Sequence, residues 1–133
     1  MTDRVAAFET ALAPAAGRTA LIVVDMQRAF LEPGEAMEVP PAREVVPRIQ
    51  ALLTVFRARR LPVVFTEFLY TEADICVLAT VVGGFNRKYR ITVVEDGVAT
   101  QWPEIQRATL DIIGRAYGRV QPAKAVVDEI SNL

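Results

Sequence analysis

The chain has 133 residues and a mass of 14.7 kDa, room for one domain spanning 1–133. Hydrophobic residues make up 52% and charged residues 23%, which excludes a disordered chain and calls for a filled core. Fifteen Lys and Arg stand against sixteen Asp and Glu, so no basic field exists to hold nucleic acid, and the absence of His excludes His-ligated metal sites and Ser-His or Cys-His pairs within the chain.

The first twenty residues carry Asp3 and Glu9 and lack the apolar core of a signal peptide. No apolar run is long enough to span a bilayer. A single Cys fits a reducing cytoplasm. The expectation is a cytoplasmic protein, apolar enough for part of its surface to be covered by another subunit.

Residues 19–24, Thr-Ala-Leu-Ile-Val-Val, form a β-branched run ending at Asp25. Its unbroken apolar character predicts a strand buried on both faces, as in a parallel sheet. Pro33, Gly34, Pro40 and Pro41 make 31–41 a loop. A helix is predicted over 42–60, with Val45, Ile49, Leu52, Leu53 and Phe56 on one face. Pro47 fits it only in the first turn or before a later start. Pro62 closes this helix, and Val63-Val64-Phe65-Thr66 makes a second strand.

Residues 74–87 are apolar nearly all round and read as a buried helix, with Thr71 and Asp74 spaced like a capping box. Tyr89 to Val94 is the next strand, ending at Glu95-Asp96-Gly97, and a helix follows over 103–115. The tail, 118–130, has room for a last short strand and a terminal helix. The alternation predicts an α/β fold, a parallel sheet flanked by helices in three layers.

In such sheets ligands sit beyond the carboxyl ends of the strands. Asp25, Glu67 and Asp96 lie at such ends, and Cys76, the only thiol, lies in the first turn of a predicted helix. Exposed N–H groups at a helix start favour a thiolate, so an acid and this thiol make a base and a nucleophile. The plainer alternatives are a core thiol at Cys76 and a turn or helix cap at Asp25.

Val23-Val24-Asp25-Met26-Gln27-Arg28-Ala29-Phe30 resembles the first-strand signature of the isochorismatase-like cysteine hydrolases. Thr71-Glu72-Ala73-Asp74-Ile75-Cys76-Val77-Leu78-Ala79-Thr80 resembles their nucleophile segment, and Phe85 through Thr100 resembles the strand that follows it. The resemblance implies a Rossmann-like parallel sheet with strand order 3-2-1-4-5-6 and an Asp-Lys-Cys triad. Carried over, Asp25 is the general base and Cys76 the nucleophile that attacks an amide or carbamoyl carbonyl. Gln27 and Phe30 follow the base and line the substrate pocket, or else pack the loop. Asp96 caps the next helix or turn. The resemblance implies a small-molecule substrate, a homo-oligomer, no cofactor and no catalytic metal; nucleic acid and membrane are not expected partners.

The chain departs from the family at one place. Its only lysines, Lys88 and Lys124, both follow Cys76, whereas the triad lysine precedes the nucleophile. Phe65 to Tyr70 resembles the end of the second strand, and Thr71 onward the turn after the fourth. The third strand, the fourth strand and the intervening helix are missing from between them. Without the fourth strand, the first strand and the Ile91 strand each lose a neighbour, so the remaining strands close up, another subunit supplies a strand, or this chain omits residues the protein has; an omission or internal deletion is the favoured expectation. Two functions follow from different classes: a hydrolase of small C–N substrates, or a catalytically defective binding or assembly subunit.

Overall fold

In the computed structural model of the chain, residues 10–67 and 76–133 are described. Short strands alternate with helices: β1 (Leu21–Val23), a single helical turn α1 (Arg28–Leu31), α2 (Ala42–Ala58), β2 (Val63–Phe65), α3 (Cys76–Asn86), β3 (Thr92–Val94), α4 (Pro103–Ala116), β4 (Arg119–Gln121) and α5 (Ala123–Ser131). The α/β class and the strand–helix tail agree with the sequence. The capping pair Thr71 and Asp74 lies outside the described residues.

β1 and β2 run parallel, with Leu21 opposite Val63 and Val23 opposite Phe65. β3 and β4 run parallel, with Thr92 opposite Arg119 and Val94 opposite Gln121. Among the described residues no ladder joins the two pairs, so the sheet is divided into two pieces of two strands each. In a parallel ladder alternate residues serve opposite edges. Leu21 donates its N–H to the Pro62 carbonyl at 3.0 Å, and Thr66 donates to the Val23 carbonyl at 3.0 Å. Ile22 and Val24 therefore aim their backbone groups away from β2. By the same rule the Arg119 N–H, bonded to the Ile91 carbonyl at 2.9 Å, leaves Thr92 and Val94 serving the edge away from β4. The strands on either side of the missing unit have not closed up.

One helical layer bridges both pieces. α2 and α5 pack together through Leu52, Phe56, Val126 and Ile130, and this cluster takes in Leu21 and Val63 from one piece and Val94 from the other. A second cluster, Val81, Val93 and Ile113, joins α3 and α4 to β3, with Val120 of β4 packed against it. Val93 and Val94 thus point to opposite faces, as strand alternation requires. The β3–β4 piece is sandwiched between helices, which is the three-layer arrangement.

The β1–β2 piece is covered on one face only, which corrects the expectation of a strand buried on both. Val23 is buried, whereas Ile22 and its register partner Val64 are each 48% exposed. An apolar run records what a strand is able to bury, and here no described helix lies over the Ile22 face. α3 is likewise not buried all round: Val81 is its buried residue and Phe85 is exposed.

α2 starts at Ala42, as expected, but continues through Pro47, which lies beyond its first turn. Proline removes one helical N–H and crowds the carbonyl four residues back, at about 3 kcal/mol. The buried residues Val45, Leu52 and Phe56 on either side of it anchor the helix against that cost. β3 is shorter than expected, because Lys88 turns the chain with φ 65° and Tyr89 is exposed. The entry to β4 is fixed by a close approach: a Cβ at Gly118 would stand 2.5 Å from the Ile91 carbonyl oxygen.

Candidate active site

Asp25 follows β1 and turns the chain sharply. Its φ is 53°, in the left-handed region that aspartate tolerates better than most residues. The turn is closed behind it by the Gln27 N–H, which donates to the Asp25 carbonyl at 2.8 Å. Beside it lies Thr66, the residue after β2. The Asp25 N–H donates to the Thr66 carbonyl at 3.3 Å and to its Oγ1 at 3.1 Å. The Thr66 hydroxyl donates in turn to Asp25 Oδ1 at 2.6 Å. The first carboxylate is therefore half-buried and held at the carboxyl end of its strand, where the sequence placed it.

Gln27 and Phe30 both shape the segment that leaves Asp25. Gln27 is the N-cap of α1 and its carbonyl accepts the Phe30 and Leu31 N–H groups at 3.1 and 3.2 Å. The Phe30 carbonyl accepts the Val39 N–H at 2.9 Å, which ties the far end of the loop back to α1. Both side chains are half-buried.

Cys76 is the first described residue of α3 and half-buried. Its helix belongs to the β3–β4 piece, through Val77, Leu78 and Val81. Glu67 is exposed beyond β2. Asp96 acts as a cap, but on a different helix from the one expected. Its Oδ1 accepts the Ala123 N–H at the start of α5 at 2.7 Å, and its Oδ2 accepts Arg48 Nε of α2 at 3.0 Å. The parallel pairing of β3 with β4 brings the two strand ends together, so a residue after β3 meets the helix after β4 rather than the next helix in sequence.

Neither lysine takes the place of the missing one. Lys124 lies on the exposed surface of α5, paired with Asp128 at 2.6 Å. Lys88 lies in the exposed turn after α3. A shallow depression lined by Glu95, Arg107, Leu110, Asp111, Gly114 and Val120 contains none of the predicted site residues.

Thr66 is the site residue that sequence reasoning missed. A signal for it exists: it is a hydroxyl residue directly after a strand that pairs in parallel with the strand ending in Asp25.

Comparisons with known proteins bear on the family and the fold. The family model described as Isochorismatase domain matches residues 19–73 and 71–125, most of the chain. The match comes in two stretches that share only 71–73, where the sequence departs from the family pattern. Among curated proteins no relative matches. Among solved structures, a cysteine hydrolase from Pseudomonas syringae pv. phaseolicola 1448A is similar with a TM-score of 0.79 at 20% identity, over 90% of this chain and 97% of that one. N-carbamoylsarcosine amidase from Thermoplasma acidophilum is similar with a TM-score of 0.64 at 21% identity, over 78% of this chain and 95% of that one. A nicotinamidase from Staphylococcus aureus is similar with a TM-score of 0.70 at 15% identity, over 78% of this chain and 99% of that one. At these identities the likeness carries the fold. Among the described residues no helix is long and apolar enough to cross a membrane. With the family model matched on both sides of the interruption, the chain belongs to the isochorismatase family.

Proposed function

We propose that the chain is a cysteine hydrolase that cleaves a small amide, carbamoyl or related C–N substrate. The observation that carries this reading is the Asp25 carboxylate, held by Thr66 at the carboxyl end of β1, on the residue that the sequence resemblance assigns as base. Cys76 at the start of α3 supports it as nucleophile. Two of the structurally similar proteins are named as amidases, which favours C–N chemistry over the other reactions of the family.

In this reading Asp25 takes the proton of the Cys76 thiol, and the sulfur attacks the substrate carbonyl carbon. The oxyanion is met by backbone N–H groups near Cys76. As the C–N bond breaks, Asp25 returns the proton to the leaving nitrogen, and an amine or ammonia departs. Asp25 then draws a proton from water. The hydroxide equivalent attacks the thioester, the C–S bond breaks, and the sulfur recovers a proton. Gln27 and Phe30, on the turn after the base, contact the substrate. A cytoplasmic location, one domain over the whole chain and assembly into a homo-oligomer belong to the same proposal.

A second reading has its own observation. The lysine that would stabilise the thiolate and the developing negative charge has no counterpart before Cys76, and losing such a charge from a desolvated site costs orders of magnitude in rate. This reading makes the chain a binding or assembly subunit.

The experiment is ammonia release from a panel of small amides and carbamoyl compounds, with Cys76→Ala and Asp25→Asn as controls. Release that is lost in both variants and survives chelation supports the hydrolase. Strict metal dependence overturns the metal-free mechanism. No release, with Cys76 alkylated only as fast as an ordinary thiol of pKa about 8.5, overturns the hydrolase and leaves the binding subunit.

A further inference from the structure

We infer that Thr66 is the positioning residue of the Asp25 base: it fixes which carboxylate oxygen receives the proton. The inference rests on the hydrolase reading and names how its base is held.

Asp25 leaves β1 through a left-handed backbone turn, so no strand ladder dictates where its side chain points. An aspartate at such a turn has several staggered χ1 choices and a broad χ2. Thr66 removes that freedom with a two-way contact. A hydroxyl offers one proton and two lone pairs. Here the proton goes to Asp25 Oδ1 at 2.6 Å, while a lone pair accepts the Asp25 N–H at 3.1 Å. One oxygen atom thus grips both the backbone and the carboxylate of the same residue.

The gripping atom is itself immobile. Threonine is β-branched and stiff at χ1. The Thr66 backbone is tied to β1 on both sides, its N–H donating to the Val23 carbonyl at 3.0 Å and its carbonyl accepting the Asp25 N–H at 3.3 Å. Oδ1 is engaged by a donor at charge-assisted distance, which makes it the less basic of the two oxygens. The proton from the thiol therefore goes to Oδ2. The neighbouring acid, Glu67, is exposed and shares none of this work.

The chain has one Cys, so alkylation by iodoacetamide at neutral pH reports Cys76 alone. Four proteins are compared: wild type, Asp25→Asn, Thr66→Val and Thr66→Ser, each checked for its melting temperature. Thr66→Val keeps the branched shape and the backbone bonds and loses only the hydroxyl. The expected result is slow alkylation in Asp25→Asn, a loss of about ten- to a hundredfold in Thr66→Val, and recovery of most of the rate in Thr66→Ser. A Thr66→Val rate equal to wild type, with Asp25→Asn still slow, overturns the positioning role and leaves the base assignment standing. Equal slowing in Thr66→Val and Thr66→Ser, tracking a fallen melting temperature, also overturns it, because the hydroxyl is then not what matters. A wild-type rate in Asp25→Asn overturns the base assignment and the positioning role together.

Discussion

The two pieces of the sheet are built from the same grammar and end in different states. β3 carries Val93 and Val94 on opposite faces, and each meets a helical layer: α3 and α4 on one side, α2 and α5 on the other. β1 carries Val23 and Ile22 in the same alternation, but only Val23 is buried. Ile22 and Val64, side by side in register, present an apolar pair to solvent. The difference lies in what the chain supplies on that face. The resemblance puts a strand–helix–strand unit between β2 and α3 that this chain lacks, and with it the strand expected next to β1. The two pieces remain together because α2 and α5 are shared.

That shared layer gives the largest expected effect. Phe56 is 2% exposed at its centre, touching the cluster that unites Leu21, Val63 and Val94. Phe56→Ala should cost about 3–5 kcal/mol, and because both pieces rest on this layer, urea unfolding should shift as a single transition. Two separated transitions would show that the pieces are held independently. Ile22→Ala should cost under about 1 kcal/mol, since the residue is already 48% exposed. A core-sized loss that depends on protein concentration would break the comparison, for it would mean that a second copy covers the Ile22–Val64 face in solution.

An intermediate effect is expected where the pieces are linked by polar contacts. Asp96 ties the end of β3 to the first N–H of α5 and to Arg48 of α2. Asp96→Ala should cost about 0.5–2 kcal/mol through the lost cap. The ion pair itself is exposed and adds well under about 1 kcal/mol. Asp96→Asn keeps a cap oxygen and loses the charge, so it should recover most of the stability in a thermal melt. A variant as unstable as Asp96→Ala would assign the effect to the Arg48 pair instead.

The periodic features of the sequence carried most of the fold. The apolar stripe of α2 and the β-branched runs at β1 to β3 were legible, because each depends on residues near one another in the chain. The three family-like blocks gave the order of the elements and the site of the interruption. What failed depends on distant partners. The exposure of Ile22 follows from an absent cover, and a strand's composition is the same with or without one. Pro47 is tolerated because Leu52 and Phe56 are buried against α5 and the strands, which local rules do not weigh. Asp96 caps α5 because parallel pairing brings together positions 27 residues apart. Thr66 reaches Asp25 across 41 residues, and a threonine at a strand end has no local mark that distinguishes a clamp from an ordinary strand residue.

The smallest effect expected is also electrostatic, and it bears on how the loop after Asp25 is tied down. Glu38 receives the Gly34 N–H at 2.9 Å and pairs with Arg43 of α2 at 2.8 Å. The Gly34 hydrogen bond, then the Arg43 contacts, hold its carboxyl below the ordinary 4.5, against a smaller opposing effect of burial. A carboxyl lowered on folding contributes stability that is present above its unfolded value and lost as pH falls through its lower folded value. Glu38→Gln should therefore melt slightly below wild type at neutral pH, and the gap should close in acid, once Glu38 is protonated in both folded and unfolded chains. The Glu38 backbone meanwhile accepts the Gln101 amide at 2.7 Å, from the segment just before α4. That bond does not titrate. Gln101→Ala should then lower the melting temperature by the same amount at every pH, and the contrast between the two variants separates the charge on this loop from the backbone contact that joins it to the better-covered half of the molecule.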